Sequence, residues 1–217
     1  MTHKEFTEQW QAQIIVFLDQ EMKGDSAHDM EHIRRVVRNA THIGHIEQAD
    51  MGIVLASAWL HDCITIPKNS PLRSQASRLA ADKAEVFLRA INYPSDLRAD
   101  IRHAIEAHSF TANITPTTIE AKVVQDADRL DAIGAVGIAR CLMTGGMMHR
   151  PLYYPPEPLP VTRMPNDDTA TIDHFYTKLF TLPALMQTLT ARAMAVERVR
   201  FMEMYLTQLN NEIQGII

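Results

Sequence analysis

The sequence predicts an all-α fold: a single helical domain of about eight or nine helices, with a long Pro-rich loop near residues 145–168. Three observations carry this. Apolar residues recur at three- and four-residue spacing along most of the chain, the period of a helix with one buried face. Strand signals are scarce, since no alternating run is bounded by an Asn-Gly or Asp-Gly turn. The 217 residues are 46% hydrophobic, enough for one ordinary core.

Taken in order, Phe6, Trp10, Ile14, Phe17 and Leu18 keep one face from roughly 4 to 22, and Gly24 closes that helix. Asp25 or Ser26 can cap a second helix running to about 47, with Ile33, Val36, Val37, Ala40 and Ile43 as its stripe. A third helix covers about 50–64 and must stop before Pro67. A fourth spans about 72–91 on Ala76, Leu79, Ala80, Ala84, Phe87, Leu88 and Ile91. A fifth begins after Pro94, with Leu97, Ile101, Ala104, Ile105 and His108 on one side. A sixth runs over about 116–130, and a seventh over 131–143. The segment 145-GGMMHRPLYYPPEPLPVTRMPNDD-168 then breaks the pattern, and loops of such length are often functional. Two last helices are expected at about 171–182 and 183–213. The domain core falls at about 25–140, with the C-terminal helices 171–213 packed on it.

The net charge of −5 gives no electrostatic footprint for a nucleic-acid polymer. The two cysteines, Cys63 and Cys141, form no CxxC pair, which argues against a disulfide framework or a thiolate zinc site and fits a cytoplasmic location. The N-terminal MTHKEFTEQW has no apolar signal region, and no run of about 18 apolar residues predicts a membrane span. No Walker GxxxxGK[ST] loop is found either.

The most informative stretch is 51-MGIVLASAWLHDCITIPKN-69, where His61 and Asp62 end a nearly unbroken apolar run. A segment apolar on every face is buried. Buried ionisable groups are paired or bound to metal. The carbonyl end of a helix, where this dipeptide falls, favours a cation. Partners are available on two other helices. In 28-HDMEHIRRV-36, His28 and His32 are four apart, and His32 lies beside the apolar stripe. In 123-VVQDADRLDAIGA-135, Val124, Ala127, Asp128 and Asp131 share a face, and Asp126 points away from Asp128 by about 200°. Asp128 is thus expected on the buried side. His32, His61, Asp62 and Asp128 together make an N2O2 site with positions open for water and substrate. Such mixed ligation suits Mn²⁺, Fe²⁺, Co²⁺ or Zn²⁺ better than Mg²⁺.

The order His…His-Asp…Asp on successive helices resembles the HD superfamily of metal-dependent phosphohydrolases. The strings HDMEHIRRV, WLHDCITIPKNSPLRSQAS, IEAHSF, VQDADRLDAIGAVGIAR and HFYTKLFTLPALMQTLTARAMAVERVRFMEMY are similar to a bacterial subfamily of small nucleotide phosphohydrolases, over about residues 25–205. The resemblance implies an all-helical HD domain with His32, His61, Asp62 and Asp128 as metal ligands. It implies hydrolysis of nucleotides or similar phosphate esters and anhydrides, with nucleoside triphosphate cut to monophosphate and pyrophosphate as one form.

One divalent ion is expected, manganese first, with Fe²⁺, Co²⁺, Zn²⁺, Ni²⁺ or Mg²⁺ as alternatives. Two-metal members bring additional histidines, and here only His108 is well aimed; His103 lies about 140° from it. His108 is therefore expected to meet a phosphate or the attacking water. The turn 67-PKNSPLR-73 follows the His-Asp pair, and Lys68 and Arg73 are expected to contact substrate phosphate. Asp62 or Asp131 would accept the water's proton, and Asp131 could equally orient a ligand. His28, Lys178 and Arg198 are weaker candidates. Met143, Met147, Met148, Met194, Met202 and Met204 read as core filling. Tyr153 and Tyr154 either stack on a base or pack their own loop. A nucleotide-sensing domain without catalysis and a di-iron HD oxygenase are the alternative functions. A homodimer through the last helix is the one protein partner to consider.

Overall fold

The computed structural model describes residues 1–21, 30–64, 66, 70 and 72–216, the side chain of Arg73 excepted. All regular elements among them are helical. No single one of these helices is long and apolar enough to cross a membrane. The chain divides into two compact units, Met1–Asp128 and Arg129–Ile217.

In the first unit, Thr2 opens helix α1 (His3–Phe6) with a reciprocal capping box to Glu5. A π-helical turn, Thr7–Gln11, leads into α2 (Ala12–Glu21). That turn has a reason in the sequence. Phe6, Trp10, Ile14 and Leu18 are all buried, yet a spacing of four drifts by about 40° per step in a regular α-helix. A wider i→i+5 turn takes up part of the drift and keeps the four on one side.

Helix α3 (Met30–Ile46) buries Ile33, Val36, Ala40 and Ile43, most of the expected stripe, and His32 with them. Helix α4 (Met51–Leu60) is buried at every position. Its start is held by Asp50, whose carboxylate accepts the Gly52 N–H at 2.8 Å. Glu120 in turn accepts the Asp50 N–H at 3.0 Å. Helix α4 packs against α3 and against α6 (Arg98–His108). Helix α5 (Ala76–Ala90), entered through a 3-10 turn at Arg73–Gln75, covers α6. Helix α7 (Ile119–Asp131) closes the unit, with Ala121 and Val124 against Ala104.

The third helix was expected to reach about 64, but α4 ends at Leu60. His61 keeps αR geometry as its C-cap. The Cys63 N–H then turns back to the Leu60 carbonyl at 3.2 Å. An i→i+3 closure of this kind ends a helix tightly.

The second unit holds the end of α7, then α8 (Gly134–Met147), α9 (Asp173–Thr177) and α10 (Leu189–Ile213). Gly134 enters α8 at φ +78°, where other residues are strained. Helix α8 runs through Gly145 and Gly146, so the loop starts at 148 rather than 145. A Cβ on Gly145 would meet Thr171 Oγ1 at 2.2 Å, whereas one on Gly146 would meet nothing within 4 Å, so Gly145 alone serves packing here and neither glycine breaks the helix.

Residues 148–172 form no regular element. They are pinned by Asp173, whose fully buried carboxylate pairs with the Arg163 guanidinium. The same carboxylate accepts the Asn166 N–H at 2.6 Å. Beyond it, the expected helix at 171–182 is split into α9 and a 3-10 stretch, Leu179–Leu185, that contains Pro183. The last helix begins at Leu189 instead of 183, because Thr188 supplies the cap by accepting the Ala191 N–H at 3.2 Å.

The methionines divide. Met202 is fully buried, whereas Met143, Met147, Met148 and Met204 are exposed. Core filling therefore holds for Met202 and fails for those four, which sit on helix or loop faces turned to solvent.

Candidate metal centre

The site forms where helices of the first unit end or face each other. His61 caps α4 and His108 is the last residue of α6. Both imidazoles solve the same local problem. The last carbonyls of a helix have no helical partner, and each ring's Nδ1 donates to the carbonyl three residues back. His61 reaches Ala58 O at 2.8 Å. His108 reaches Ile105 O at 2.7 Å. With Nδ1 protonated and engaged, the neutral form of each ring has its lone pair on Nε2, the tautomer a metal ligand needs.

Helix α3 adds His32, and α7 adds Asp128. His32 Nε2 lies 3.4 Å from Asp128 Oδ1, and His61 Nε2 lies 4.0 Å from the same oxygen. On the other side, His108 Nε2 is 4.0 Å from Asp62 Oδ1. The rings of His61 and His108 meet edge to face at 4.9 Å, and those of His32 and His61 at 5.4 Å. Two overlapping groups result, His32–His61–Asp128 and His61–Asp62–His108, each with its ligand atoms within 4.8 Å of one another. His61 belongs to both.

Burial favours the neutral form of His61, the form in which an imidazole can bind a metal. Burial pushes its pKa down to about 4; Asp62 and Asp128 pull upward against it, while His108 and His32 add to the lowering. Its Nε2 is buried and takes no hydrogen bond from any described residue. A neutral imidazole with an orphaned, inward lone pair costs free energy in a closed core. A divalent cation would satisfy it together with the two flanking carboxylates, so this donor set fits a metal.

Access comes from the carboxylate side. The side chains of Asp62 and Asp128 are each 30% exposed, while that of His61 is 0% exposed. The imidazoles form the floor and the carboxylates the rim.

Of the residues singled out from sequence, His32, His61, Asp62, Asp128 and His108 are brought together here. Lys68 and His28 lie outside the described residues, as does the side chain of Arg73. Asp131 is 2% exposed and forms an ion pair with Arg140. A carboxylate held by a guanidinium is a poor proton acceptor, which counts against the base role for Asp131 and in favour of an orienting one. Asp128 was expected to be the buried carboxylate of its helix, but Asp126 is fully buried and Asp128 is part-exposed. Both sides of α7 are covered, so helical direction alone did not separate the two. Arg198 donates to the Leu130 carbonyl, a structural contact. Tyr154 packs within its own loop, with the Arg163 guanidinium 5.3 Å from its ring centre. His103, off the apolar face as expected, accepts the Thr117 N–H at 3.0 Å.

Two residues escaped the sequence reading. Asn39 of α3 donates to the Ala127 carbonyl at 3.3 Å, tying the His32 helix to the Asp128 helix. Gln125 of α7 donates to the Ala107 carbonyl at 2.7 Å. Both are polar residues placed among apolar helix positions, a signal that was available but not distinctive.

Comparison with known proteins bears on the family and the fold. The HD domain family model matches residues 29–133, a span that contains all five clustered residues. The protein YpgQ of Bacillus subtilis is 36% identical over 191 residues, 88% of this chain and 87% of that protein. The crystal structure of YpgQ in complex with ADP superposes with a TM-score of 0.72 at 35% identity, covering 94% of this chain and 97% of that one. An HD-superfamily hydrolase from Bacillus thuringiensis gives a TM-score of 0.74 at 32% identity, covering 97% and 98%.

Proposed function

This chain belongs to the HD superfamily, and from that premise we propose that it is a metal-dependent phosphohydrolase acting on nucleotides. Its ligands are His32, His61, Asp62 and Asp128, around one divalent ion with Mn²⁺ preferred. The observation that carries the reading is the buried, unpartnered Nε2 of His61 between two carboxylates. The nucleotide preference is supported by the ADP held by YpgQ. Cleavage of a nucleoside triphosphate to monophosphate and pyrophosphate is the form of the reaction favoured by the resemblance.

A divalent ion held by His32, His61, Asp62 and Asp128 would lower the pKa of a bound water toward neutrality and polarise a phosphoryl oxygen. The chain's own residues supply the rest. His61 stays neutral because it is buried, so it adds no positive charge of its own. Asp62, on the open rim, accepts the proton of the attacking water. His108 Nε2, facing Asp62 at 4.0 Å, accepts a hydrogen bond from that water or, with the ring protonated, donates one to the phosphoryl oxygen. Lys68 and Arg73 follow the His-Asp pair in the chain and are assigned to the substrate's negative charge. Asp131, engaged by Arg140, is assigned an orienting role at the end of α7.

The test is release of phosphate or pyrophosphate from mono-, di- and triphosphates with Mn²⁺, Co²⁺, Mg²⁺ or EDTA, beside Asp62→Ala. Metal-dependent release that the variant loses is expected, and the product identifies the bond cut. Metal-loaded protein that binds nucleotide without turnover would replace the hydrolase with a sensor.

A second reading, two ions in place of one, has an observation of its own: the His61–Asp62–His108 group. Elemental analysis separates the two. One ion per chain leaves His108 to substrate, and two make it a ligand. Two irons with oxygen uptake would point to an oxygenase instead.

A further inference from the structure

We infer that Gln125 is a positioning residue for His108: its amide fixes the C-terminal turn of α6 and, through that turn, the direction of His108 Nε2. The inference deepens the proposed reading of His108 and rests on it.

Gln125 lies on α7 three residues before Asp128, so the two side chains leave neighbouring faces of the helix. It is 3% exposed. Its Nε2 donates at 2.7 Å to the carbonyl of Ala107, the residue before His108. That carbonyl is in the last turn of α6, where helical acceptors go unused. A second carbonyl of the same turn, that of Ile105, is taken by His108 Nδ1 at 2.7 Å. The turn is therefore closed by two side-chain bonds, one from the imidazole itself and one from the helix that carries Asp128. Beyond His108 the chain leaves in an extended conformation at Ser109, ψ 130°. The helical hydrogen-bond ladder does not continue past that point, so these two bonds orient the ring.

Stability alone does not explain the amide. Gln125 Oε1 is buried and accepts no hydrogen bond from any described residue. One neutral donor bond gained, set against one buried acceptor without a donor, comes close to cancelling. Local rules are broken in this way at functional sites more often than elsewhere. The bond that is made ends one residue from the imidazole facing Asp62.

The experiment compares wild type, Gln125→Met, His108→Ala and the double variant. It measures Mn²⁺-supported hydrolysis of a nucleoside triphosphate, thermal midpoint, and the ring ¹³C–¹H NMR signal of His108 in EDTA-treated protein. Gln125→Met is expected to lower kcat about 10- to 100-fold, the range for outer-shell partners, with KM and midpoint nearly unchanged. The His108 signal should shift or broaden, and the double variant should be no slower than His108→Ala alone. Wild-type kcat with an unmoved His108 signal in Gln125→Met overturns the inference. So does a loss of kcat that comes with a large fall in midpoint and an unmoved signal. Full activity in His108→Ala instead overturns the role of His108 on which the inference rests. If the wild type hydrolyses nothing, the hydrolase reading fails, and the NMR comparison still decides whether Gln125 orients the ring.

Discussion

Acidifying the metal-free protein should expose the cost of keeping His61 neutral. The ring is fully buried, and its pKa is pushed from 6.5 to about 4, chiefly by that burial. An unfolded chain takes up the proton near 6.5, and the folded chain only near 4. Between those values the unfolded state binds more protons, so stability rises with pH there. The contribution is complete above 6.5 and is lost progressively as pH falls to about 4. Each tenfold change in proton affinity corresponds to about 1.4 kcal/mol, so the interval amounts to about 3 kcal/mol. That is a large share of an ordinary domain's stability.

Urea unfolding of EDTA-treated protein between pH 4 and 8 measures it. Both tryptophans, Trp10 and Trp59, are buried in the first unit, the one that holds the site, so their fluorescence reports on that unit alone. The difference between wild type and His61→Asn should change by about 3 kcal/mol across the window. Most titrations elsewhere cancel in this difference. Parallel curves, or an NMR midpoint for His61 near 6.5, would refute the argument that burial holds the ring neutral.

Other outcomes follow from the same structure. Asp128→Ala should weaken metal binding by more than about 100-fold, beyond the losses typical of outer-shell partners; calorimetric titration with Mn²⁺ checks it. Arg163→Ala leaves the fully buried Asp173 carboxylate without its cation and should destabilise by about 3–5 kcal/mol; a Leu at 173 in the same chain should recover much of that loss in denaturant unfolding. Gly145→Val, forced against Thr171, should cost about 1–3 kcal/mol by overpacking, read as a lower thermal midpoint. Cys63 is 1% exposed, and burial pushes its thiol up to about 12; in native protein at pH 8 it should resist alkylation that goes to completion in urea.

The helical class was legible because a period of about 3.6 needs only local sequence. The order His32, His61-Asp62, Asp128 was legible as a combination, because the His-Asp pair ends an apolar run and the other two lie on helices with apolar stripes. Helix ends were less legible. The Gly145–Gly146 pair reads as a break, yet α8 runs through both, and only the approach of Thr171 shows why position 145 is a glycine. Pro183 reads as a helix start, yet the cap is supplied by Thr188.

Within the site, sequence direction aimed Asp128 inward and Asp126 outward, and tertiary packing covered both sides of α7. Packing also brought His108, which sequence linked to a phosphate or the attacking water, within 4.0 Å of the Asp62 carboxylate. It gave Asp131 an arginine partner that no spacing rule predicts. By itself, then, the sequence determined which side chains are costly to bury and which helix each rides on, because both follow from residue type and short-range periodicity. Tertiary structure alone decided which of them meet, and with which protonated nitrogen, because those depend on where separate helices end.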